Sequence, residues 1–306
     1  MNKFINSLLI LFAATIMFAD SISLNMENDT LSFPKKDHEY SHGTEFVYMT
    51  DKQLWFFDNV GFGIEQTMYT PPLLKTDDLQ LGEHPYCGYL SFNLIGDQIF
   101  KFNDSLDLTL EHSLGFGMVG PSSRSEQSQK VIHKWLGCKE PKGWKWQIHD
   151  EFVAQYQCYA NLNYEVLKIN HFSTYLIPRI GIDAGGFKDM IASGLDVKIG
   201  YNTKGNVGSN MILSAPARKH NSFEIFALAG IEGRCVFHDT SIDGGFFRDS
   251  IHTEESEMWV GEFHWGVGLK FRNVEIDYFN FIRSNELKNS FAAEPNYGRI
   301  SFTTSF

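Results

Sequence analysis

Apolar and polar side chains alternate along much of this chain. Near the C-terminus, Ile300, Phe302, Thr304 and Phe306 occupy one parity, and charged or hydroxyl residues lie between them. A period of two is typical of a β-strand with one apolar and one polar face. The same analysis predicts about twelve strands of roughly nine or more residues. Their approximate centres are Leu24, Phe46, Gly63, Phe92, Thr109, Gln155, Tyr175, Lys198, Ala227, Val267, Tyr278 and Phe302.

Alternation of this kind suits either a soluble β-sandwich or a membrane β-barrel, which differ in where the apolar face points. Two features at the chain ends favour the barrel. A basic start and an apolar run from Ser7 to Ala19 predict a cleaved signal peptide over residues 1–19, with an uncleaved anchor as the alternative. The chain ends on an aromatic residue, Phe306. We therefore expect an all-β fold, a transmembrane up-and-down antiparallel barrel, formed by a single domain over residues 20–306.

An even number of strands places both termini on the periplasmic side of such a barrel. The longer gaps then fall on the outer side. They cover residues 67–85, 118–146, 236–257 and 284–295. The gap 204–220 falls on the inner side, where turns are usually short. Pro178 lies inside a predicted strand, and a bulge is expected to accommodate it.

One segment departs from the period of two. Ser123 and Glu126 have the spacing of a capping box, and Gly137 suits a helix C-terminus. Val131, Ile132, Trp135 and Leu136 lie between them as an apolar stripe at helical spacing. These signals predict a short helix across the outer mouth of the barrel, with Gln129 and His133 on one face.

Composition narrows the choice of function less than the pattern does. The formal net charge of -11 argues against a general nucleic-acid partner. The four cysteines are widely spaced, so separate packing roles are favoured over a metal site, and a disulfide pairing cannot be chosen from the sequence. They are Cys87, Cys138, Cys158 and Cys235.

The predicted topology brings several polar residues to the outer end. Asn28 and Asp29 end the first strand, Ser41 begins the second, and His133 lies on the loop helix. A histidine can take a proton from water or a hydroxyl group, and an adjacent carboxylate and amide can orient it or hold a hard cation. Each residue also has an ordinary structural interpretation, as a turn pair, a lumen-facing serine or a packed helix residue.

An ordered set of short motifs carries a family resemblance. It begins with Glu27-Asn-Asp29 and Tyr40-Ser-His-Gly43. It continues through Tyr69-Thr-Pro71, Glu83-His-Pro-Tyr-Cys-Gly-Tyr-Leu90, Met118-Val-Gly-Pro121, Gln129-x-x-x-His133, Gly143-Trp144 and Gln147-x-x-x-Glu151. In order and spacing these motifs resemble the LpxR family of outer-membrane lipid A deacylases, from about residue 20 to Phe306.

The resemblance implies a twelve-stranded barrel that removes the 3′-linked acyloxyacyl group of lipid A with calcium dependence. The mechanism we expect is ester hydrolysis by a water molecule that the histidine activates, with calcium polarising the acyl carbonyl and stabilising the oxyanion. Its active site would lie between the barrel wall and the outer leaflet. By position, His133 matches the catalytic histidine, Asn28 and Asp29 match an Asn-Asp pair, and Ser41 falls where some members have threonine. Asp29 and Glu140 are the implied calcium ligands. The implied partners are lipopolysaccharide, the outer membrane and the barrel-assembly machinery.

One position departs from the family pattern. Members often have Asp-Arg-Pro-Tyr-Ala-Gly where this chain has Glu83-His-Pro-Tyr-Cys-Gly88. A neutral His84 would weaken a phosphate or carbonyl contact made by arginine, which affects the expected substrate preference more than the fold. Two rival functions stay open: an outer-membrane phospholipase with a Ser-His-Asn triad, and a non-enzymatic pore or structural barrel.

Overall fold

The chain forms a closed β-barrel in the computed structural model, which describes residues 21–32, 40–50, 52–203, 223–288 and 296–306. The predicted signal peptide and the gap 204–220 lie outside the described residues.

Twelve antiparallel strands follow one another around the barrel in chain order, and β1 pairs with β12 to close it. Leu24 of β1, for example, lies opposite Phe302 of β12. All twelve predicted strand centres fall inside strands, so the predicted fold class is confirmed. The strands are β1 (Ser21–Asn28), β2 (Tyr40–Thr50), β3 (Asn59–Tyr69), β4 (Cys87–Asn103), β5 (Leu106–Val119), β6 (Glu151–Ile169), β7 (Phe172–Gly185), β8 (Lys188–Tyr201), β9 (Glu224–Asp239), β10 (Trp259–Phe271), β11 (Val274–Arg283) and β12 (Tyr297–Ser305).

The two faces of the wall differ in the sense expected of a membrane barrel. Apolar side chains such as Leu24, Phe92 and Ile180 point outward and are exposed, whereas Asn25 and Asn93 point inward and are buried. A soluble sandwich would bury the apolar rows instead. The period of two therefore places an apolar surface toward lipid and a polar one toward the lumen.

The connections divide between the two ends of the barrel. At one end, here called the long-loop end, residues 70–86, 120–150, 240–258 and 284–296 join the strands. At the other, the short-turn end, β4–β5, β6–β7 and β10–β11 are joined by two residues each. This arrangement confirms the four predicted long gaps on one side.

Two helices lie at the long-loop end, α1 (Ser125–Leu136) and the single turn α2 (Thr240–Asp243). The described residues include no helix that is both long and apolar enough to cross a membrane.

Ion pairs fill much of the lumen. Arg179 lies 2.7 Å from Asp196 and 2.8 Å from Glu232. Glu232 also pairs with Arg234, which contacts Glu262 at 2.8 Å, and Glu262 lies 2.7 Å from Arg283. The chain of charges thus crosses from β7 to β11. A cavity of about 150 Å³ remains in the lumen, lined by polar side chains that include Glu45, Glu65 and Asp183.

Pro178 does not disrupt β7. It is exposed on the outer face and lies opposite Leu195 of β8. The pairing of β7 with β6 is interrupted between the Asn161–Arg179 and Tyr164–Leu176 pairs. Pro178 lies in this interval and has no backbone N–H to donate. The expected bulge is not at Pro178; the register shift lies further along, between Glu165 and Leu167 of β6.

Candidate functional site

Helix α1 packs against the outer face of the barrel wall, at the long-loop ends of β3 and β4. Ile64 and Met68 lie on the same outward row of β3, yet Ile64 is 48% exposed and Met68 is fully buried. Gln66, also on that row, donates a hydrogen bond to the carbonyl of Ser123 at 2.7 Å. The prediction that the helix crosses the mouth of the barrel was therefore wrong: the helix lies beside the wall.

Small residues permit this close contact. A Cβ on Gly88 of β4 would collide with Ser123 and with Ser125, the first residue of α1. The Ser125 hydroxyl donates to the carbonyl of Thr67 at 3.2 Å. Glycine and serine thus bring the helix against the backbone of the wall, where larger side chains would hold it away.

The sequence predicted the C-terminal end of the helix correctly and the N-terminal end wrongly. Gly137 ends it in the left-handed conformation at φ 69°, and the Cys138 N–H donates to the His133 carbonyl, as predicted. The N-cap is Arg124, at φ 62°, without a side-chain cap bond. Ser123 belongs to a preceding 3-10 turn, Pro121–Ser123, where its hydroxyl donates to the Gly120 carbonyl, so the predicted capping box was wrong.

A cavity of about 710 Å³ lies between α1 and the long-loop ends of the first strands. This volume is in the range of ligand-binding clefts. Its polar lining includes Asn28, Asp29, His42 and His133. Its apolar lining consists of Met68, Pro71, Pro72, Leu73, Leu74, Ile132 and Leu136. The fold therefore brings the predicted Asn-Asp pair and the predicted histidine to one site.

The cavity opens on the outer face of the barrel, not into the lumen. Asn28 continues the outward row of Leu24 and Met26 on β1, and His42 occupies an outward position on β2 with Phe46. Neither Asn28 nor His42 borders the lumen cavity. A molecule in this site would contact the wall on its apolar side.

One hydrogen bond sets the orientation of His133. Its Nδ1 lies 2.6 Å from the backbone carbonyl oxygen of Lys139. Because a carbonyl only accepts, Nδ1 must carry the hydrogen, and in the neutral ring Nε2 then has the free lone pair. His133 is thus held in the tautomer that can accept a proton at Nε2.

Asn28 and Asp29 lie at the transition from β1 to a short 3-10 turn, Asp29–Leu31. The Asn28 side-chain oxygen accepts the Thr30 N–H at 2.9 Å and the Thr30 hydroxyl. The Ser32 N–H and hydroxyl both donate to the Asp29 carbonyl, at 3.0 and 2.6 Å. Asp29 is buried. These local bonds fix the backbone of the turn that places Asn28 and Asp29 at the cavity.

The other two predicted residues differ from these: one has a side chain outside the described residues, and the other does not line the cavity. Ser41 lies in β2 beside His42, but its side chain is outside the described residues. Glu140 does not line the cavity. It is exposed and forms an ion pair with Lys130 at 3.3 Å, alongside the Lys130–Glu126 pair within the helix.

Two lysines at the site were missed by sequence reasoning. Lys75 and Lys139 both line the cavity, and the neighbouring ammonium of Lys75 lowers the pKa of Lys139. No sequence signal placed the loop that carries Lys75. Gln129, which the sequence placed on one face with His133, is buried and accepts the indole N–H of Trp144 at 2.7 Å.

His84, the departure from the family pattern, lies away from the cavity lining. It is buried, stacks on Tyr69 with ring centroids 4.9 Å apart, and donates from Nδ1 to the Pro85 carbonyl at 2.8 Å. Burial lowers the pKa of His84, so the ring is neutral at pH 7. Its role here is packing within the loop.

Oxygen donors suited to a hard cation line part of the cavity. Asp29 has a carboxylate and Thr30 a hydroxyl, whereas the Asn28 side-chain oxygen already accepts two hydrogen bonds from Thr30. Calcium binds such oxygens and completes its coordination with carbonyls and water. Within the described ranges, no group of three or more His, Cys, Asp or Glu side chains is placed to hold a metal ion. The four cysteines, all described, are free thiols.

Comparisons with known proteins agree with this architecture. The family model described as "Outer membrane protein LpxR" matches residues 4–306. No curated protein sequence matches the chain.

Among solved structures, LpxR from Salmonella typhimurium superposes with a TM-score of 0.81 at 17% identity, over 94% of this chain and 100% of that one. The β domain of the Bordetella autotransporter BrkA gives a TM-score of 0.50 at 8% identity, over 94% and 99% of the two chains. At these identities the likeness concerns the barrel fold.

Proposed function

Since the chain belongs to the LpxR family of outer-membrane proteins, we propose that it is a lipid A 3′-O-deacylase. The reaction is hydrolysis of the 3′-linked acyloxyacyl ester of lipid A. In this assignment the long-loop end is extracellular, because outer-membrane barrels have short periplasmic turns and longer outer loops. The cavity beside α1 then faces the lipopolysaccharide leaflet.

The observation that carries the proposal is the hydrogen bond from His133 Nδ1 to the Lys139 carbonyl. It leaves Nε2 as the proton acceptor in a cavity that also contains Asp29 and Asn28. A fixed tautomer is what a general base needs, since it removes the need to reorient the ring during the reaction. His84 and His149 also bond a backbone carbonyl through Nδ1, and His133 differs from them in lining this cavity.

In the proposed mechanism, His133 Nε2 takes a proton from a water molecule as its oxygen attacks the ester carbonyl carbon. Lys75 also lines this cavity, and we assign its ammonium group the role of stabilising the tetrahedral oxyanion. As the carbonyl re-forms, the bond from the carbonyl carbon to the sugar oxygen breaks. His133 returns the proton to that oxygen, which leaves a free fatty acid and a sugar hydroxyl.

Calcium is the proposed cofactor, with Asp29 as its carboxylate ligand. When bound, calcium would polarise the ester carbonyl and help to stabilise the oxyanion. The exposed ion pair of Glu140 with Lys130 supports leaving Glu140 out of the first choice of ligands. Asp29 is already held by its turn, so binding requires little reorganisation of the chain.

The apolar part of the cavity suits an acyl chain. Proline and leucine side chains of the 70–86 loop face Ile132 and Leu136 of α1 across it. Because the cleft opens beside the lipid-facing wall, an acyl chain could enter without leaving the hydrocarbon layer.

The rival functions are less well supported. A pore requires an open lumen, whereas buried ion pairs cross the lumen here from β7 to β11. A serine phospholipase requires a nucleophile beside its histidine. Ser41 is the serine predicted at this end, and the family match favours the lipid A ester as substrate over a phospholipid.

Mass spectrometry of lipid A tests the proposal. Cells that express the chain should contain lipid A lighter by the 3′-linked acyloxyacyl group, and cells without it should not. New lysophospholipid with unchanged lipid A would support the phospholipase instead. Unchanged lipids in the presence of folded protein would overturn both enzymatic assignments.

A further inference from the structure

Helix α1 carries more apolar surface than its cavity uses. Ile132 and Leu136 line the cavity, whereas Val131 and Trp135 do not. Val131 is 50% exposed and Trp135 is 85% exposed. The two are four residues apart and therefore form one patch on the helix surface, here called the Val131–Trp135 edge.

The helical period shows which way this edge points. Ser125 and Gln129 are the buried residues of the helix: Ser125 donates to the Thr67 carbonyl of β3, and Gln129 accepts from Trp144. Val131 follows Gln129 by two residues, which correspond to about 200° around the axis. The Val131–Trp135 edge therefore points away from the packed side, on a helix that lies on the lipid-facing surface of the barrel.

The helix that carries this edge lies against a surface already assigned to lipid. The helix packs on the outer face of β3 and β4, where Ile64, Phe92 and Leu94 remain exposed on the outward rows. Charge supports the same partner. Residues 130–145 contain five lysines and a single acid, Glu140, in a chain whose net charge is -11. Lys134, Lys139 and Lys142 are exposed.

We propose that the Val131–Trp135 edge is a membrane-contacting surface that inserts into the outer leaflet at the boundary between acyl chains and anionic head groups. Tryptophan favours this depth because its ring is apolar and its N–H is polar. The neighbouring lysines would meet the phosphate groups of the same lipids. Insertion would hold α1 at a fixed depth, independent of whether the cavity turns over substrate.

Fluorescence quenching tests this inference. The full chain is folded into phosphatidylcholine–phosphatidylglycerol vesicles with plain or brominated acyl chains, as wild type and as Trp135→Phe. The difference between the two proteins gives the emission of Trp135. Brominated chains should quench this emission, and aqueous iodide should quench it weakly.

Trp146→Phe provides the matched control. Trp146 lies after α1 and donates its indole N–H to the Asp77 carbonyl at 2.9 Å, within the loops. Its emission should respond less to brominated chains than that of Trp135. Heat-modifiable migration confirms that each variant is folded. Trp135 emission that resists brominated lipid and is readily quenched by iodide would overturn the inference, whatever the deacylase assay shows.

Discussion

The orientation of His133 depends on a backbone carbonyl six residues later in the chain. Gly137 makes this possible, because it turns the chain back at the helix C-terminus and brings Lys139 under the ring. His133, Asn28 and Asp29 could be singled out from short motifs. Lys75 could not, because it lies in a loop without hydrophobic periodicity, and only the fold shows that this loop borders α1.

We expect His133→Ala to lower deacylation by about 10²–10⁴-fold, the usual contribution of a general base. The ring is half-buried at the cavity wall, so its loss should leave the barrel folded and heat-modifiable. Deacylation rates on lipid A in detergent provide the measurement. His171→Ala is the control, since His171 lies exposed at the short-turn end. Equal rates for His133→Ala and wild type would place the base elsewhere.

Asp29→Asn tests the calcium proposal at the same scale. Replacing a carboxylate by an amide removes charge from the donor set, so the calcium concentration for half-maximal activity should rise by at least about tenfold. Glu140→Gln should leave that concentration nearly unchanged, because Glu140 pairs with Lys130 outside the cavity. Full wild-type activity in excess chelator would contradict the proposed cofactor. If only Glu140→Gln raised the calcium concentration for half-maximal activity, Glu140 and not Asp29 would be the carboxylate ligand.

Among the secondary-structure elements, the strands could be predicted from the sequence, whereas the position of α1 against the barrel wall could not. Each strand repeats one physical signal, outward apolar and inward polar side chains, over nine or more residues. The apolar stripe of α1 suggested a packing face, but the contact with the wall uses Ser125 and Gly88. Small residues leave no hydrophobic signal in a sequence, so the close approach could not be foreseen.

The cross-strand charges offer a prediction for β10. Glu262 accepts from both Arg234 and Arg283, and all three side chains are buried. Glu262→Gln leaves two buried guanidinium groups without their shared carboxylate. We expect it to lower the free energy of unfolding by about 3–5 kcal/mol, as measured by urea titration in vesicles. Glu255→Gln, which loses an exposed pair with Lys288, should change it little. Equal stabilities of the two variants would show that the lumen pairs add no net stability.

For the whole molecule, closure depends on the last strand, which pairs with β11 on one side and β1 on the other. Phe306 follows this strand and is 52% exposed. We propose that it forms part of the signal read by the barrel-assembly machinery. Deleting Phe306 should lower the folded fraction in the outer membrane while the specific activity of the folded molecules stays the same. Cell fractionation measures the first and lipid A turnover the second; an unchanged folded fraction would make Phe306 only another lipid-facing side chain.

The central claim is that a cavity on the outer wall of this barrel hydrolyses an acyl ester of lipid A. The most direct test is to incubate the purified, folded protein with lipid A and calcium in ¹⁸O-labelled water, and to record the masses of both products. The account predicts lipid A lighter by its 3′-linked acyloxyacyl group, with the label in the released acid and none in the sugar. Lipid A of unchanged mass would contradict it.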